Sequence, residues 1–558
     1  MTASNGSELF LETLLDEGVR VIFGNPGTTE LPLMDALVNE DRLDYILCLQ
    51  EGVAIGAAEG YAFATGGPAV LNLHVAPGLG NALGMLYNSK RAGSPLIVTA
   101  GNQPQHGMFQ EIVLWDDIAR MAEPLVKWSY EVRRVEDLEQ AVRRAIKVAL
   151  TPPTGPVFLS FPGDVMLAPA GDPVGRPTRI DTRYAASGES IRRAARILAK
   201  AQNPIIVTGS RITRSGAEEE LARLAERLGA KVYGETFPNT IAFAMDHPLY
   251  AGELPRLAKP VRKRLEAADV VFLAGTEAFI LSFPPDAVSM PEHVRVVQLD
   301  LNPWEIGKNF PAEAALFGDP KTTLPLLLAE VEAAGDEGDR SRARARREKV
   351  EGEVREVRAR ETPAILPASE EPEGGMSLTS FHAALGEAIP PGTAIIDEAI
   401  SSAGPGFRRG ITEKAAHLFG IKGGGIGMGM PTALGVKKGM PERPVVGVSG
   451  DGSSMYTIQA LWTAARYNIA AAFVVINNGA YRILKERVLN LDGKAKEFHK
   501  FVAMDLIDPA LDFPKLAEGM GVAAIRAQTP GALKDAIGDA LASGKPCLID
   551  AVVKSEEL

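Results

Sequence analysis

The sequence predicts an α/β protein made of three doubly wound parallel-sheet domains. Short apolar runs rich in β-branched residues alternate with segments of helical spacing along the 558 residues, and this alternation is typical of parallel sheets. Two distant segments, residues 57–74 and 433–450, each lead from a small-residue helix through a Gly/Pro turn into an apolar strand. We therefore expect one α/β unit to occur twice. The chain length favours roughly three or four domains of ordinary size.

Changes in composition predict the domain boundaries. The first domain covers residues 1–180 and ends where a final apolar strand meets a linker rich in Pro and Gly. A middle domain covers residues 185–335, in which apolar runs again alternate with helical segments. Residues 336–374 are rich in Arg and Glu and poor in apolar side chains, so we expect a solvated helix and a connector there. The third domain covers residues 375–558.

Composition and charge argue against several classes of protein. The net charge of −11, with both signs mixed along the chain, disfavours a nucleic-acid partner. No apolar run of about 18 residues is present to span a membrane. The N-terminal segment lacks the basic start of an export signal, and the two cysteines, Cys48 and Cys547, are typical of a reducing compartment. We therefore expect a cytoplasmic location.

Two polar clusters in the third domain form the most informative motif. The sequence GDGS at 450–453 and the sequence NNG at 477–479 each follow a short apolar run, with 25 residues between Gly452 and Asn478. Since the carboxyl ends of parallel strands meet at one edge of a sheet, both clusters are expected there, where glycines let the backbone approach a phosphate. The side-chain oxygens of Asp451 and Asn478 are the hard ligands that Mg²⁺ or Ca²⁺ accepts. Either motif alone is an ordinary turn, but together they predict a site for a metal ion and a diphosphate.

This spacing resembles the cofactor signature of the thiamin diphosphate enzymes. The resemblance implies that Asp451, Asn478 and the carbonyl of Ala480 hold Mg²⁺ or Ca²⁺ beside thiamin diphosphate. It also implies that the first domain binds the pyrimidine ring and the third the diphosphate. The cofactor of this family lies between domains of different subunits, so a homodimer is expected to be obligatory for the active site, with a homotetramer common. Further cofactor contacts implied by the resemblance are Asn25, Pro26, Gly27, Asn81, Ser401, Gly452, Ser453 and Tyr481.

Glu51 is the predicted activating carboxylate. It lies in the sequence LQEG before a helix of small residues, and the family places a glutamate of this kind on the pyrimidine ring. The resemblance implies that Glu51 favours the imino tautomer, so that the cofactor's own amino group removes the thiazolium proton. The alternative is an ordinary glutamate at a helix start, where acidic side chains are favoured.

A glycine run at 423–429 contains one bulky aliphatic residue, Ile426. Glycines allow the backbone to approach the cofactor closely. The resemblance implies that Ile426 wedges between the two rings of the cofactor and that the Gly424 carbonyl accepts a hydrogen bond from the cofactor amino group. A glycine-rich turn before a buried helix remains the alternative.

Within the family, the chain is most similar to benzoylformate decarboxylases. The resemblance extends over most of the chain and includes FGNPGTTELP at 23–32 and LNLHVAPGLGNALG at 71–84. It implies that His74 transfers protons near the thiazolium carbon, a task suited to a side chain that titrates near neutrality. Thr28 matches a serine that contacts the substrate carboxylate.

The chain also departs from the decarboxylase pattern. Ser282 occupies the place of the second active-site histidine, and a serine hydroxyl cannot act as an acid near pH 7. Two aromatic pocket positions become Gly420 and Arg487, which puts an aryl pocket in doubt. Gln110, in the sequence FQE, resembles a glutamine that faces the active site of acetolactate synthases.

These observations predict a non-oxidative decarboxylation of a benzoylformate-like 2-oxo acid to an aldehyde through an enamine, with thiamin diphosphate as electron sink. One alternative is an acetolactate synthase-like carboligase that makes 2-hydroxyketones or acetohydroxy acids. A second is a noncatalytic paralogue that serves as a binding or regulatory subunit. A flavin-containing oxidase is a weaker alternative. The expected partners are the 2-oxo acid and further copies of the chain.

Overall fold

Three parallel six-stranded sheets form the framework of the protein. The structure, a computed structural model, describes residues 3–282, 287–412 and 414–554. The strands of the first sheet are β1 Val21–Gly24, β2 Asp44–Leu47, β3 Ala69–Leu73, β4 Leu96–Asn102, β5 Ser129–Glu131 and β6 Val157–Pro162. Those of the second are β7 Pro204–Thr208, β8 Lys231–Gly234, β9 Tyr250–Glu253, β10 Val270–Ala274, β11 Arg295–Asp300 and β12 Ala314–Phe317. Those of the third are β13 Thr393–Glu398, β14 Ala415–Gly420, β15 Val445–Gly450, β16 Ala472–Asn477, β17 Ala523–Ala527 and β18 Cys547–Val552.

Strand order shows that the first and third sheets are two copies of one plan. The first sheet runs β2-β1-β3-β4-β6-β5, and the third runs β14-β13-β15-β16-β18-β17, which is the same order. The second runs β12-β11-β10-β7-β8-β9, the doubly wound order 3-2-1-4-5-6 in reverse. Neighbouring strands are parallel throughout the three sheets. The predicted fold class is therefore confirmed.

Helices connect the strands. In the N-terminal region they are α1 Gly6–Asp16, α2 Leu31–Ala36, α3 Glu51–Thr65, α4 Val75–Ala92, α5 Ile118–Ala122, α6 Leu138–Leu150 and α7 Gly163–Leu167. In the middle region they are α8 Gly188–Ala199, α9 Ser210–Ser215, α10 Glu218–Leu228, α11 Ala258–Leu265, α12 Pro320–Ala334 and α13 Glu337–Glu361. The C-terminal region has α14 Leu378–Ala388, α15 Pro405–Ile411, α16 Gly429–Gly439, α17 Asp451–Ser454, α18 Ala460–Arg466, α19 Arg482–Val488, α20 Lys494–Phe498, α21 Phe513–Gly519 and α22 Pro530–Ala542. Among these helices, none combines the length and the apolar composition needed to cross a membrane.

The described residues divide into two compact units. One unit contains the first and third sheets, and the other contains the second sheet together with α13. In the first unit, apolar residues of both sheets join in a single buried cluster that includes Phe23, Leu71, Phe473 and Leu548. The two copies of the repeated plan therefore share one core.

Helices α3 and α16 pack together in the first unit through their backbones. A Cβ atom on Gly435 would lie 1.8 Å from the carbonyl oxygen of Ala57, and one on Gly60 would lie 2.1 Å from that of Thr432. Real Cβ atoms do not approach so closely, so glycine is required at this crossing. Because α3 begins at Glu51 and α16 begins at Gly429, the last glycine of the run, the crossing holds the segments that start both helices in one unit.

Candidate active site

Glu51 is held by two of the residues predicted to contact the cofactor. Its carboxylate is buried, with 6% of the residue exposed. Asn25 Nδ2 donates to Glu51 Oε1 at 3.2 Å, and Asn81 Nδ2 donates to Oε2 at 3.1 Å. Asn25 follows β1 and Asn81 lies on α4. Two neutral amides therefore orient the carboxylate.

His74 forms a pair with a carboxylate that the sequence analysis did not single out. His74 directly follows β3, and its Nδ1 lies 2.8 Å from Glu30 Oε2. Glu30 is buried and also accepts from the backbone N–H groups of Gly27 and Gly101, each at 2.8 Å. A neutral imidazole that donates its Nδ1 hydrogen to a carboxylate keeps the lone pair on Nε2. His74 is thus set up to exchange a proton through Nε2.

The backbone around His74 is shaped by close contacts. A Cβ atom on Gly27 would lie 2.2 Å from His74 Nδ1, so only glycine leaves room for the ring. Val75 has a φ of 41° although it is β-branched, a conformation that costs about 1–3 kcal/mol and tends to occur at functional sites. Thr28 is exposed, while its neighbour Thr29 lies 3.2 Å from His74 Nδ1 through its hydroxyl.

The two polar motifs of the third sheet meet as predicted. Gly450 pairs with Ile476 in the register of β15 and β16, so the residues that follow lie at one edge. Asp451 accepts hydrogen bonds from the backbone N–H groups of Gly452, Asn478 and Gly479 at 2.7, 3.1 and 2.6 Å. Burial raises the pKa of the Asp451 carboxyl above its usual value, against the effect of these donors.

The donor set at this edge suits a hard cation that also binds a diphosphate. Asn478 Oδ1 accepts from the N–H of Ala480 at 3.1 Å, so the three predicted metal residues are brought together. No group of three or more His, Cys, Asp or Glu side chains forms a metal site in the described part of the chain. A cation at Asp451 would therefore need amide and carbonyl oxygens and oxygens of its ligand, as Mg²⁺ commonly uses. The residues present fit this requirement.

The other predicted cofactor residues all lie in the first unit. A Cβ atom on Gly452 would lie 2.3 Å from a ring carbon of Tyr481, so the tyrosine ring packs directly against the GDGS turn. Ser453 is buried in α17, and Ser401 is half-buried after β13. In the glycine run, Gly424 is exposed with a φ of 84°, and Ile426 is half-buried. Pro26 is half-buried beside Asn25.

Two of the residues predicted to face the substrate, Gln110 and Ser282, are exposed. Gln110 is exposed at the end of a short 3₁₀ helix, Gln105–Gln110, which follows β4. Ser282 is exposed in the unit of the second sheet, where its backbone N–H donates to the carbonyl of Arg256 at 2.9 Å. Residues 283–286, which follow Ser282 directly, lie outside the described residues.

Known proteins share both the sequence and the fold. The family models for the N-terminal, central and C-terminal domains of thiamine pyrophosphate enzymes match residues 4–118, 191–327 and 413–551. The benzoylformate decarboxylase of Pseudomonas aeruginosa is 31% identical over 98% of both chains. The putative acetolactate synthase large subunit IlvX of Mycobacterium tuberculosis is 31% identical over 99% of both chains.

Solved structures of decarboxylases have the same fold as this chain. The thiamine diphosphate-dependent 4-hydroxybenzoylformate decarboxylase of Rhodococcus jostii RHA1 superposes with a TM-score of 0.86 at 30% identity, over 100% of both chains. The benzoylformate decarboxylase of Polynucleobacter necessarius gives a TM-score of 0.85 at 26% identity, again over 100% of both chains. Three matched domains and two relatives above 30% identity over nearly the whole length lead to one conclusion. The chain belongs to the thiamine pyrophosphate enzyme family.

Proposed function

We propose that the protein is a thiamin diphosphate-dependent carboxy-lyase that removes carbon dioxide from a benzoylformate-like 2-oxo acid and leaves an aldehyde. The observation that carries this proposal is the pair formed by His74 and Glu30. A Cβ atom on Gly78 would lie 3.4 Å both from Glu51 Oε1 and from His74 Cβ, so the two predicted proton-transfer residues are neighbours. A product aldehyde requires a proton after carbon dioxide leaves, and His74 can deliver one from Nε2 once the lone pair on that nitrogen has taken up a proton from solvent.

The cofactor would be held by residues from both copies of the repeated plan. Asp451, Asn478 and the Ala480 carbonyl would bind Mg²⁺ or Ca²⁺, and the turn at 450–453 would bind the diphosphate together with Ser401. When bound, the cofactor supplies an electron sink for the pair left by departing carbon dioxide. A further set would contact its rings: Glu51, Asn25, Pro26, Gly27, Asn81, Gly424, Ile426 and Tyr481.

The remaining roles concern the substrate. The exposed Thr28 hydroxyl would bind the substrate carboxylate, and Gln110 and Ser282 would line the region around its side chain. Two relatives support an aromatic acid, since their names specify benzoylformate and 4-hydroxybenzoylformate. Both cysteines are free and buried, which supports a cytoplasmic location.

The test is to incubate the purified protein with thiamin diphosphate, Mg²⁺ and benzoylformate, and to measure carbon dioxide and the organic product by NMR. Benzaldehyde supports the proposal. No release by a protein shown to bind the cofactor would refute benzoylformate as substrate. The Asp451→Ala variant is the matched control, because it removes the metal ligand and leaves the pair of His74 and Glu30 in place.

A carboligase of the acetolactate synthase type is the second candidate. Gln110 is exposed in the 3₁₀ helix that follows β4, the strand next to the one that His74 follows, and a relative named as a synthase has the same 31% identity as the decarboxylase. Pyruvate as sole substrate separates the two functions, since a synthase makes acetolactate and a decarboxylase makes acetaldehyde. A noncatalytic paralogue would fail to bind the cofactor in calorimetry.

Homodimerisation is part of the proposal and has its own test. The inactive variants Glu51→Gln and Asp451→Ala are mixed, and their subunits are allowed to exchange. If each site takes Glu51 from one subunit and Asp451 from another, mixed dimers contain one intact site and activity returns. If one chain completes its own site, the mixture stays inactive. A tetramer would be recognised by its mass in solution.

A further inference from the structure

The peptide groups on both sides of Ile426 are held by buried side chains. On its N-terminal side, Asn88 forms hydrogen bonds with both the N–H and the C=O of Gly425, which belong to two successive peptide groups. The N–H of Gly425 donates to Asn88 Oδ1 at 2.9 Å, and Asn88 Nδ2 donates to the Gly425 carbonyl at 2.7 Å. Asn88 lies on α4 and is fully buried. This two-point contact restrains the peptide groups on both sides of the Gly425 Cα.

On the C-terminal side, one carboxylate accepts hydrogen bonds from three consecutive backbone N–H groups. Glu398, at the end of β13, is 1% exposed. It accepts from the N–H groups of Gly427, Met428 and Gly429 at 2.5, 2.8 and 2.7 Å, and from Ser449 Oγ at 2.8 Å. Charged acceptors form stronger hydrogen bonds than neutral ones. The segment after Ile426 is therefore held by three hydrogen bonds to one buried group, which Ser449 of β15 helps to orient.

Thr457 holds the next peptide group, between Gly427 and Met428. Its hydroxyl donates to the Gly427 carbonyl at 2.6 Å, and the residue is 1% exposed. The N–H and the C=O of Gly427 are thus both occupied, by Glu398 and by Thr457. We call Asn88, Glu398 and Thr457 the clamp.

The glycines of the run are explained by the clamp. A Cβ atom on Gly423 would lie 2.2 Å from Asn88 Oδ1, and one on Gly429 would lie 2.6 Å from Glu398 Oε2. Gly427 has a φ of 106°, and a Cβ there would lie 2.6 Å from Tyr456 Cβ. A backbone made of glycines has the most conformational freedom to lose. Without outside contacts, such a segment would not present Ile426 in one orientation.

We propose that Asn88, Glu398 and Thr457 are positioning residues, which hold the Ile426 side chain and the Gly424 carbonyl in the one arrangement that supports the cofactor in its reactive shape. This inference rests on the proposed function for the role of Ile426, but the clamp itself is present without any ligand. It predicts that loosening the clamp slows activation of the bound cofactor more than it weakens cofactor binding, because the diphosphate and metal contacts at Asp451 are untouched.

The first measurement uses the protein without cofactor. Amide hydrogen exchange is followed in the peptide that covers residues 425–429 for wild type, Thr457→Val and Asn88→Ala. Loss of one buried hydrogen bond should speed exchange there about tenfold. Thr457→Ser keeps the hydroxyl and should restore protection. Thr463→Val is the matched control, since this buried hydroxyl donates instead to the Leu47 carbonyl at 3.1 Å.

The second measurement uses the protein loaded with thiamin diphosphate and Mg²⁺. The rate at which the thiazolium proton of the bound cofactor exchanges for deuterium is compared with the cofactor Kd. We expect Thr457→Val to slow this exchange about tenfold while the Kd stays within a factor of about three of wild type, and Thr457→Ser to behave like wild type.

Unchanged amide exchange at 425–429 in a folded Thr457→Val protein would overturn the clamp. Faster amide exchange with an unchanged thiazolium exchange rate would overturn its positioning role. If Asn88→Ala does not fold, the comparison of Thr457→Val with Thr457→Ser still tests both the clamp and its positioning role. Failure of the wild type to bind the cofactor would instead refute the proposed function, and the amide exchange result would stand apart from it.

Discussion

Glu51→Gln replaces the predicted activating carboxylate by a side chain of the same shape. In the wild type, Asn25 and Asn81 each donate to one Glu51 oxygen, at 3.2 and 3.1 Å. A glutamine has one accepting oxygen, so one of the two asparagine donors then faces an NH₂ group. A buried donor left without a partner costs about 1–3 kcal/mol, and rotation of that asparagine amide reduces the cost. We expect the free energy of unfolding to fall by about 1 kcal/mol.

The effect on turnover should be much larger. Proton transfer by a positioned side chain contributes about 10²–10⁴-fold to rate, which corresponds to roughly 3–5 kcal/mol of transition-state stabilisation. The assay is kcat for carbon dioxide release, with cofactor affinity by calorimetry and the unfolding midpoint in urea measured on the same protein. We expect cofactor binding and fold to be kept while kcat falls at least a hundredfold.

A second glutamate of α3 provides the control. Glu59 is 1% exposed, accepts from the hydroxyl of Ser89, and lies eight residues after Glu51 on the same helix. Glu59→Gln should destabilise the fold at least as much as Glu51→Gln, yet reduce kcat far less. Wild-type turnover in Glu51→Gln, or an equal loss of kcat in both variants, would refute the assignment.

Four further outcomes follow from the geometry. Glu30→Gln removes the charged partner of His74 and should lower kcat about tenfold or more with little change in cofactor Kd; an unchanged kcat contradicts the role of the pair. Gly435→Ala places a Cβ 1.8 Å from a backbone oxygen and should cost more than about 3 kcal/mol in urea unfolding, so an unshifted midpoint would disprove the backbone crossing. Chelation of divalent cations should abolish cofactor binding, and Asp451→Ala should raise the Mg²⁺ concentration needed for half-maximal turnover; full activity in EDTA would count against the metal site. Burial lowers the pKa of His382 below its ordinary 6.5, so the native state binds fewer protons than the unfolded state. The free energy of unfolding should therefore fall as the pH drops below 6.5. His382→Phe should make the free energy of unfolding less dependent on pH, and an identical slope in wild type and variant would show that His382 is not the cause.

The sequence predicted the fold because each strand carries its own apolar run and each helix its own spacing. It also predicted that the GDGS and NNG motifs lie at one edge, since the carboxyl ends of neighbouring strands in a parallel sheet share an edge. Glu51 lies close to Asn25 and Asn81 for a similar reason, because all three follow the carboxyl ends of strands in the first sheet.

Residues whose roles depend on distant partners were not predictable. Glu30 is 44 residues from His74 in the chain, and Asn88 is 337 residues from Gly425. A polar residue inside a helix or strand gives no sign of which backbone group it will meet after folding. The only signal for Glu30 was its place just after β1, at the edge that also carries His74. Glu398 and Thr457 gave no comparable signal.

The crossing of α3 and α16 limits how this enzyme can acquire new specificity. Where backbone meets backbone at Gly60 and Gly435, neither helix can shift without a clash, so the position of Glu51 relative to the glycine run of the same chain cannot change by sliding the two helices apart. Variation is left to segments that the crossing does not constrain, such as the exposed 3₁₀ helix with Gln110 and the stretch around Ser282. Substitutions that change the substrate should therefore occur in loops, while the residues of the helix crossing stay the same.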